Sequence, residues 1–177
     1  MAADESTLDR LRALIVDVPD FPRAGIMFRD ITALLGDAAA LHDTAMLMAA
    51  PYRETGVAVV AGIESRGFIL GGIVADILGA GFVPVRKSGR LPRATLSVSY
   101  ELEYGEAVLE VHADAMARGQ RTLIVDDLLA TGGTAAAAAA LVERAGGAVV
   151  GLSFLIELAG LHGAARLRSP HSALLVM

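Results

Sequence analysis

An apolar stretch that runs directly into two acids and a glycine- and threonine-rich loop is the part of this sequence best suited to chemistry. The stretch covers residues 122–125, and a predicted helix begins where the loop ends. The polar residues that follow the stretch are Asp126, Asp127, Thr131, Gly132, Gly133 and Thr134. A helix N-terminus offers unpaired N–H groups with partial positive charge, and glycines let an anion approach the backbone closely. The loop therefore predicts a phosphate site.

Asp126 and Asp127 require a ligand group other than phosphate, which would repel them. Vicinal ribose hydroxyls can donate hydrogen bonds to two carboxylates, so the diacid with its loop indicates a pentose 5-phosphate site. Neither a P-loop Gly-Lys-Ser/Thr nor a G-x-G-x-x-G fingerprint occurs. The structural alternative is an ordinary strand-to-helix turn with acids near the helix start, and these residues alone leave both interpretations open.

Residues 123–134 resemble the phosphoribosyl pyrophosphate (PRPP) signature of the type I phosphoribosyltransferases. Further segments look like the adenine phosphoribosyltransferase branch of that family: FPxxGIxFRDIT at 21–32, SRGF at 65–68, VPVRK at 83–87, LP at 91–92 and YELEYG at 100–105. The resemblance covers residues 20 to 160. It implies transfer of ribose 5-phosphate from PRPP to adenine, giving AMP and pyrophosphate.

The resemblance also assigns roles to particular residues. PRPP binding falls to Asp126, Asp127, Ala130, Thr131, Gly132, Gly133, Thr134, Arg66, Lys87 and Arg90. Adenine binding falls to Met27, Phe28, Arg29 and Leu158, with the base stacked between Phe28 and Leu158. Catalysis falls to Arg66, which would bind pyrophosphate, and to Glu103 and Tyr104 on a loop that closes over the site. The segment 64–67 corresponds to a pyrophosphate loop that often contains a non-proline cis peptide.

Each role has a plainer alternative. Arg66 also fits a solvated arginine at a helix start, while Phe28 and Leu158 fit ordinary core packing. Spacing alone places Glu103 on the polar side of a solvated hairpin, and only the family resemblance distinguishes it. Arg90 stands where many family members have lysine, and arginine keeps the charge of lysine but not its shape. Ser88 stands where proline is common in the family, which predicts a more flexible loop.

The resemblance implies Mg²⁺ as the cofactor, held through PRPP and water, with Asp126 and Asp127 as water-mediated neighbours. It also implies a homodimer. A net charge of -5 without a basic run argues against nucleic acid or a membrane surface as a partner. The acidic start and the absence of cysteine favour a cytoplasmic protein, and the four histidines lack metal-ligand spacing.

Two other functions are compatible with a PRPP site. One is transfer to a different purine base, against which the match over residues 21–32 argues. The other is a non-catalytic PRPP-sensing regulator, which would need a nucleic-acid surface. The acidic chain and the retained Arg66 and Glu103 favour an enzyme.

Elements of an α/β fold must position these residues. Apolar runs at 57–63, 82–85, 122–125 and 149–156 predict strands, and 6–18, 37–52, 68–78 and 134–144 predict helices. Residues 95–111 predict a hairpin with its turn near Gly105. We expect a mainly parallel central sheet flanked by helices in a single domain over 1–177, with a small hood. That hood is the base-recognition region, about 1–36, and the flexible catalytic loop covers about 95–111.

Overall fold

A seven-stranded, mainly parallel sheet forms the centre of the molecule. The computed structural model describes residues 5–101 and 106–177. The strands are β1 (Val16–Pro19), β2 (Met27–Asp30), β3 (Val59–Ile63), β4 (Gly81–Lys87), β5 (Thr95–Glu101), β6 (Glu106–His112), β7 (Arg121–Leu129), β8 (Ala148–Glu157) and β9 (His171–Val176). The helices are α1 (Glu5–Ala13), α2 (Thr32–Gly36), α3 (Ala38–Ala49), α4 (Arg66–Leu78) and α5 (Gly133–Arg144). Within these described ranges, no helix combines the length and apolar character needed to cross a membrane.

The strand order is β5-β6-β4-β3-β7-β8-β9. Strands β4, β3, β7, β8 and β9 run parallel, whereas β5 and β6 form an antiparallel hairpin at the β4 edge. The chain passes from β3 through α4 to β4 on one side, and β7 lies on the other side of β3. Ligands of such sheets bind at the carboxyl ends of the strands where the order reverses. Here that position lies between β3 and β7.

Apolar side chains on both faces of the central strands explain why those strands are buried. Val60, Leu123 and Val125 pack in one core cluster with residues of α3 and α4. Ala61 and Ile124, their neighbours in sequence, pack in a second cluster with α5. Since side chains alternate across a strand, uninterrupted apolar runs place hydrophobic groups on both faces. This arrangement holds β3 and β7 firmly, and their carboxyl ends carry the candidate site.

The predicted order of strands and helices from residue 37 onward is confirmed, with boundaries shifted by a few residues. Strand β7 is longer than predicted and continues through both acids to Leu129, paired with β8. Strand β9, which no pattern predicted, completes the sheet beyond β8. The turn of the predicted hairpin lies outside the described residues.

The N-terminal prediction was wrong in part. The helix expected over 6–18 ends at Ala13, and β1 follows it. Val16 and Val18 of β1 pair with Asp30 and Phe28 of β2. Most of β2 lies in the segment from Pro19 to Arg29, which was predicted as a loop. Strand pairing between distant segments overrides helical periodicity, because that pairing supplies backbone partners that no local pattern reveals. The resulting two-stranded sheet is separate from the central one and brings Phe28 to the candidate site.

Candidate active site

A cavity of about 700 Å³ opens at the carboxyl ends of β3 and β7. Pairing of β7 with β3 ends at Gly62 and Val125, and the two acids come immediately afterwards. The cavity therefore begins where β3 leaves the sheet. It is lined by Phe28, Ile63, Glu64, Ser65, Arg66, Lys87, Tyr100, Ala107, Leu109 and residues 126–135.

The predicted phosphate loop lies along this cavity at the start of α5. Gly132, the residue before the helix, has φ +79°. A Cβ on Gly132 would lie 2.3 Å from the carbonyl oxygen of Gly163, and one on Gly163 would lie 2.1 Å from that of Ala130. Both positions therefore require glycine. Gly163 was missed by sequence reasoning, because it lies 31 residues beyond Gly132 in a segment without a motif.

The two acids have different surroundings. The Asp127 side chain is almost fully buried, and its Oδ2 lies 2.8 Å from Nε of Arg66. Asp126 Oδ1 accepts a hydrogen bond from the Asp127 N–H at 2.9 Å. Burial raises the pKa of Asp126 well above its usual range, and the nearby charge of Asp127 raises it further. Asp127 is thus ion-paired with Arg66, whereas the surroundings of Asp126 disfavour its ionised form.

Arg66 connects the acid pair to the hood. Its Nε pairs with Asp127, and its guanidinium carbon lies 4.9 Å from the centre of the Phe28 ring. Both contacts are favourable, because the guanidinium is charged and the ring face is electron-rich. The Glu64–Ser65 peptide immediately before Arg66 is cis, as the resemblance implied for this loop. The structure thus places Arg66 between the diacid and the ring expected to stack on the base.

The basic residues at and after the end of β4, Arg86, Lys87 and Arg90, have different surroundings. Arg86 donates from Nε to Glu64 Oε2 at 3.0 Å and from Nη1 to the Arg90 carbonyl oxygen at 3.1 Å. Its guanidinium also lies 5.8 Å from the centre of the Phe68 ring. Arg86 therefore has a structural role. Lys87 lines the cavity, whereas Arg90 is not among the lining residues described.

The residues expected to bind adenine are only partly brought together. Phe28 lines the cavity and meets Phe21 edge-on, with ring centres 5.1 Å apart. Met27 is about half exposed on β2, and Arg29 forms an ion pair with Asp17. Leu158 directly follows β8, packs against the first core cluster and donates its N–H to the Leu129 carbonyl oxygen. Met27, Arg29 and Leu158 are not among the lining residues described.

The hairpin contributes Tyr100, Ala107 and Leu109 to the described cavity lining, and none of them was predicted for the site from the sequence. Tyr100 on β5 lines the cavity, and the Thr134 hydroxyl donates to the Tyr100 hydroxyl oxygen at 3.4 Å. The sequence signal that could have identified Tyr100 was its place at the start of the YELEYG segment. Glu103 and Tyr104, the expected catalytic residues of this hairpin, lie outside the described residues.

The carboxylates of the site are too few to coordinate a metal ion by themselves, but they can complement other ligands. In residues 5–101 and 106–177, no group of three or more His, Cys, Asp and Glu side chains could hold a metal ion. Asp126 and Asp127 can supply only two carboxylates. This donor set fits Mg²⁺, which keeps several waters and uses phosphate oxygens as ligands in many sites.

Comparisons with known proteins agree with this geometry. Residues 32–172 match the model of the phosphoribosyl transferase domain. An adenine phosphoribosyltransferase of a Nocardioides species is 58% identical over 160 residues, covering 88% of this chain and 86% of the relative. The crystal structure of the Rhodothermus marinus adenine phosphoribosyltransferase has a TM-score of 0.95 at 52% identity, covering 98% of this chain and all of its own.

A Saccharomyces cerevisiae adenine phosphoribosyltransferase, crystallised with an imino-altritol bisphosphate and adenine, is also similar. Its TM-score is 0.90 at 37% identity, covering 97% of this chain and 100% of that one.

Proposed function

This chain belongs to the phosphoribosyl transferase family, among the adenine phosphoribosyltransferases, and we propose that it transfers ribose 5-phosphate from PRPP to adenine. The products are AMP and pyrophosphate. One observation carries the proposal: a single cavity holds the phosphate loop, the diacid, Arg66 and the Phe28 ring. Each group suits a different part of the two substrates.

The 5-phosphate binds at residues 130–134. N–H groups at the start of α5 and the hydroxyls of Thr131 and Thr134 supply its donors. Asp126 and Asp127, at the base of this loop, accept hydrogen bonds from the ribose hydroxyls. Because the acids and the loop lie on one continuous segment, they fix the distance between ribose and phosphate.

Pyrophosphate lies on the side of the cavity formed by residues 64–66 and Lys87. The bond between the anomeric carbon and the pyrophosphate oxygen breaks, and its electron pair leaves with pyrophosphate. Arg66 and Lys87 place two cations where that charge develops, and such preorganised charge lowers the barrier. A purine nitrogen then attacks the opposite face of the anomeric carbon and inverts it.

Adenine enters from the hood side and stacks on Phe28. An apolar ring face suits a flat heterocycle. The proton that the purine loses is accepted by Glu103, and Tyr104 lies on the same loop, as the family resemblance implies. The family resemblance also assigns base contacts to Met27, Arg29 and Leu158 and a pyrophosphate contact to Arg90, although none of the four is among the described residues that line the cavity.

The cofactor, assembly and location are part of the same proposal. When bound, Mg²⁺ supplies positive charge to the pyrophosphate oxygens as they become a leaving group. The enzyme is a homodimer, as the family resemblance implies. It acts in the cytoplasm, where a protein without cysteine needs no oxidising environment.

Parallel assays with adenine, guanine, hypoxanthine and xanthine test the function. The protein is mixed with PRPP, Mg²⁺ and each base, and nucleotide and pyrophosphate are measured. AMP from adenine alone, lost in an Asp126→Asn/Asp127→Asn variant, is the expected result. Asp114→Asn is a matched control, because it breaks the exposed Arg93–Asp114 pair outside the cavity. A different nucleotide would overturn the base assignment, and PRPP binding without turnover would indicate a sensor.

A further inference from the structure

The turn after β4 is held by a carboxylate that plays no part in the proposed chemistry. Glu110 on β6 accepts the Ser88 hydroxyl at 2.7 Å through Oε1 and the Gly89 N–H at 3.0 Å through Oε2. Both donors belong to the turn that directly follows Lys87. One carboxylate therefore fixes two successive residues of this turn, and bonds to a charged acceptor are the stronger kind.

The sheet places Glu110 where it can do this. In the antiparallel pairing of β4 with β6, Arg86 stands opposite Glu110 and Lys87 opposite Leu109. The Ser88 N–H extends the ladder by donating to the Val108 carbonyl oxygen at 3.0 Å. The register of β4 against β6 is fixed by this pairing, and it places Glu110 beside the turn.

Glu64 holds the end of β4, immediately before this turn. Its Oε2 accepts the Arg86 Nε–H at 3.0 Å and the Lys87 N–H at 3.3 Å. Arg86 in turn donates to the Arg90 carbonyl oxygen at 3.1 Å. The backbone from residue 86 to residue 90 is thus held at both ends. The sequence predicted a looser loop from Ser88, but the serine hydroxyl supplies a bond that proline could not make.

We infer that Glu110 and Ser88 are positioning residues, which fix the turn so that Lys87 faces the pyrophosphate end of the cavity. The inference rests on the proposed function, since it concerns how one of its ligand-binding side chains is oriented. Glu110 is not among the lining residues described, so it acts on the substrate through the turn. Holding a charged group in place matters, because small displacements of a positioned group weaken binding strongly.

Steady-state kinetics in both directions test the inference with Ser88→Ala, Glu110→Ala and the double variant. We expect Glu110→Ala to raise KM for PRPP, and KM for pyrophosphate in the reverse reaction, by about tenfold. KM for adenine and for AMP should stay within about twofold. Ser88→Ala should have a smaller effect in the same direction. The double variant should be no worse than Glu110→Ala, because the hydroxyl then has no partner left to lose.

Two conservative variants and one control separate positioning from general stability. Ser88→Thr keeps the hydroxyl and should behave like the parent. Glu110→Gln keeps one good acceptor and should lie between the parent and Glu110→Ala. Asp114→Asn breaks the Arg93–Asp114 pair, another exposed contact of similar type, and should leave every KM unchanged. If Glu110→Ala does not fold, Ser88→Ala and Ser88→Thr decide the question.

Unchanged KM values for PRPP and pyrophosphate in Ser88→Ala and Glu110→Ala would overturn the positioning role. Equal rises in all four KM values would do so as well, because they would indicate general damage. A parent protein inactive with every base would instead overturn the proposed function. The two failures are therefore distinguishable by the parent's own turnover.

Discussion

At the scale of single residues, the unlike environments of Asp126 and Asp127 are the central feature of the site. Asp127 is paired with Arg66 at 2.8 Å, whereas burial and the charge of Asp127 raise the pKa of Asp126. Ionised Asp126 therefore destabilises the folded protein when no ligand is bound. Hydrogen bonds donated by ribose hydroxyls to the Asp126 carboxylate offset this destabilisation. The pair is thus better suited to the bound state than to the empty one.

Replacing Asp126 by asparagine should stabilise the free protein while abolishing PRPP binding. Asn keeps an oxygen that can accept the Asp127 N–H but removes the charge. An unfolded aspartate titrates near pH 3.9, at about the usual value, and the native pKa lies above it. The native state is therefore destabilised as pH rises from about 4 through the native pKa. We expect a Tm a few degrees above the parent at pH 7.

The gain in Tm should disappear near pH 3, where Asp126 is protonated in both folded and unfolded chains. Thermal unfolding of parent and variant across this range measures the effect, and Asp114→Asn serves as a control. Asp114 has its pKa lowered by hydrogen bonding to Arg93, so its variant should lose stability at neutral pH. An Asp126→Asn variant less stable than the parent at pH 7 would refute the assignment.

Arg66 should contribute mainly to the chemical step. Its guanidinium lies between Asp127 and Phe28, close to both the ribose side and the base side. Arg66→Ala is expected to lower kcat by about 10²- to 10³-fold, as for loss of one preorganised group stabilising developing charge. Arg66→Lys should recover only part, since an ammonium lacks the planar fork. Rapid-quench measurement of AMP formation tests this, and an unaltered kcat in Arg66→Ala would contradict the role.

The site residues that belong to continuous motifs could be predicted from the sequence. Residues 126–134 could be interpreted from their own chemistry, because strand end, diacid and loop are adjacent in the chain. Two contacts could not be predicted in this way. Arg66 and Asp127 are 61 residues apart in the sequence, and Phe28 and Arg66 are 38 residues apart. Such contacts follow from the folded arrangement of β2, β3 and β7, which local spacing does not encode.

At the scale of elements, the phosphate loop depends on a second segment packed against it. The short 3-10 turns after β8 bring Gly163 against the backbone of Ala130 and Gly132. This contact lies between the phosphate loop and the segment that begins with Leu158. The two segments can approach so closely only because neither glycine carries a Cβ.

Gly163→Ala should therefore damage PRPP binding without touching the substrate. Its Cβ would lie 2.1 Å from the Ala130 carbonyl oxygen, so the loop must move. We expect a loss of about 1–3 kcal/mol in the free energy of unfolding. KM for PRPP should rise at least about tenfold, because the phosphate donors shift. Calorimetric PRPP titration and chemical denaturation give the two quantities.

Gly160→Ala is the matched control for this substitution. It lies in the same segment, and a Cβ there would meet nothing within 4 Å. Parent-like PRPP binding in Gly160→Ala beside weakened binding in Gly163→Ala would identify the loop contact as the cause. Equal behaviour of both variants would refute it.

Element order was more predictable than element packing. The apolar runs of β3, β7 and β8 and the alanine-rich α5 are strong local signals, and all four were predicted. Strand β1 was not, because its partner β2 lies in a segment interpreted as loop. Edge and hood strands depend on pairing with distant residues more than on their own composition.

At the scale of the whole molecule, the sheet order brings distant segments to one edge. Strand β3 stands between β4 and β7. Glu64 directly follows β3, Lys87 ends β4, and Asp126 lies where β7 passes beyond its pairing with β3, so these three residues meet at one cavity although they are far apart in sequence. The hood and the hairpin then border the same cavity through Phe28 and Tyr100. Substrate binding should therefore link the sheet, the hood and the hairpin.

This linkage predicts a strong stabilisation of the folded protein by PRPP, and one that requires Mg²⁺. A ligand at 100 times its Kd stabilises the native state by about 2.7 kcal/mol. For a chain of 177 residues that corresponds to a rise in Tm of about 5–10 °C.

Since the described acids form no metal cluster of their own, Mg²⁺ alone should leave Tm unchanged. PRPP with EDTA should give a much smaller rise in Tm than PRPP with Mg²⁺, because the pyrophosphate charge is then compensated only by Arg66 and Lys87. Thermal unfolding under these conditions checks the prediction, with the Asp126→Asn/Asp127→Asn variant as a control that should show no shift. An equal shift with and without EDTA would refute the role of Mg²⁺ while leaving the PRPP site intact.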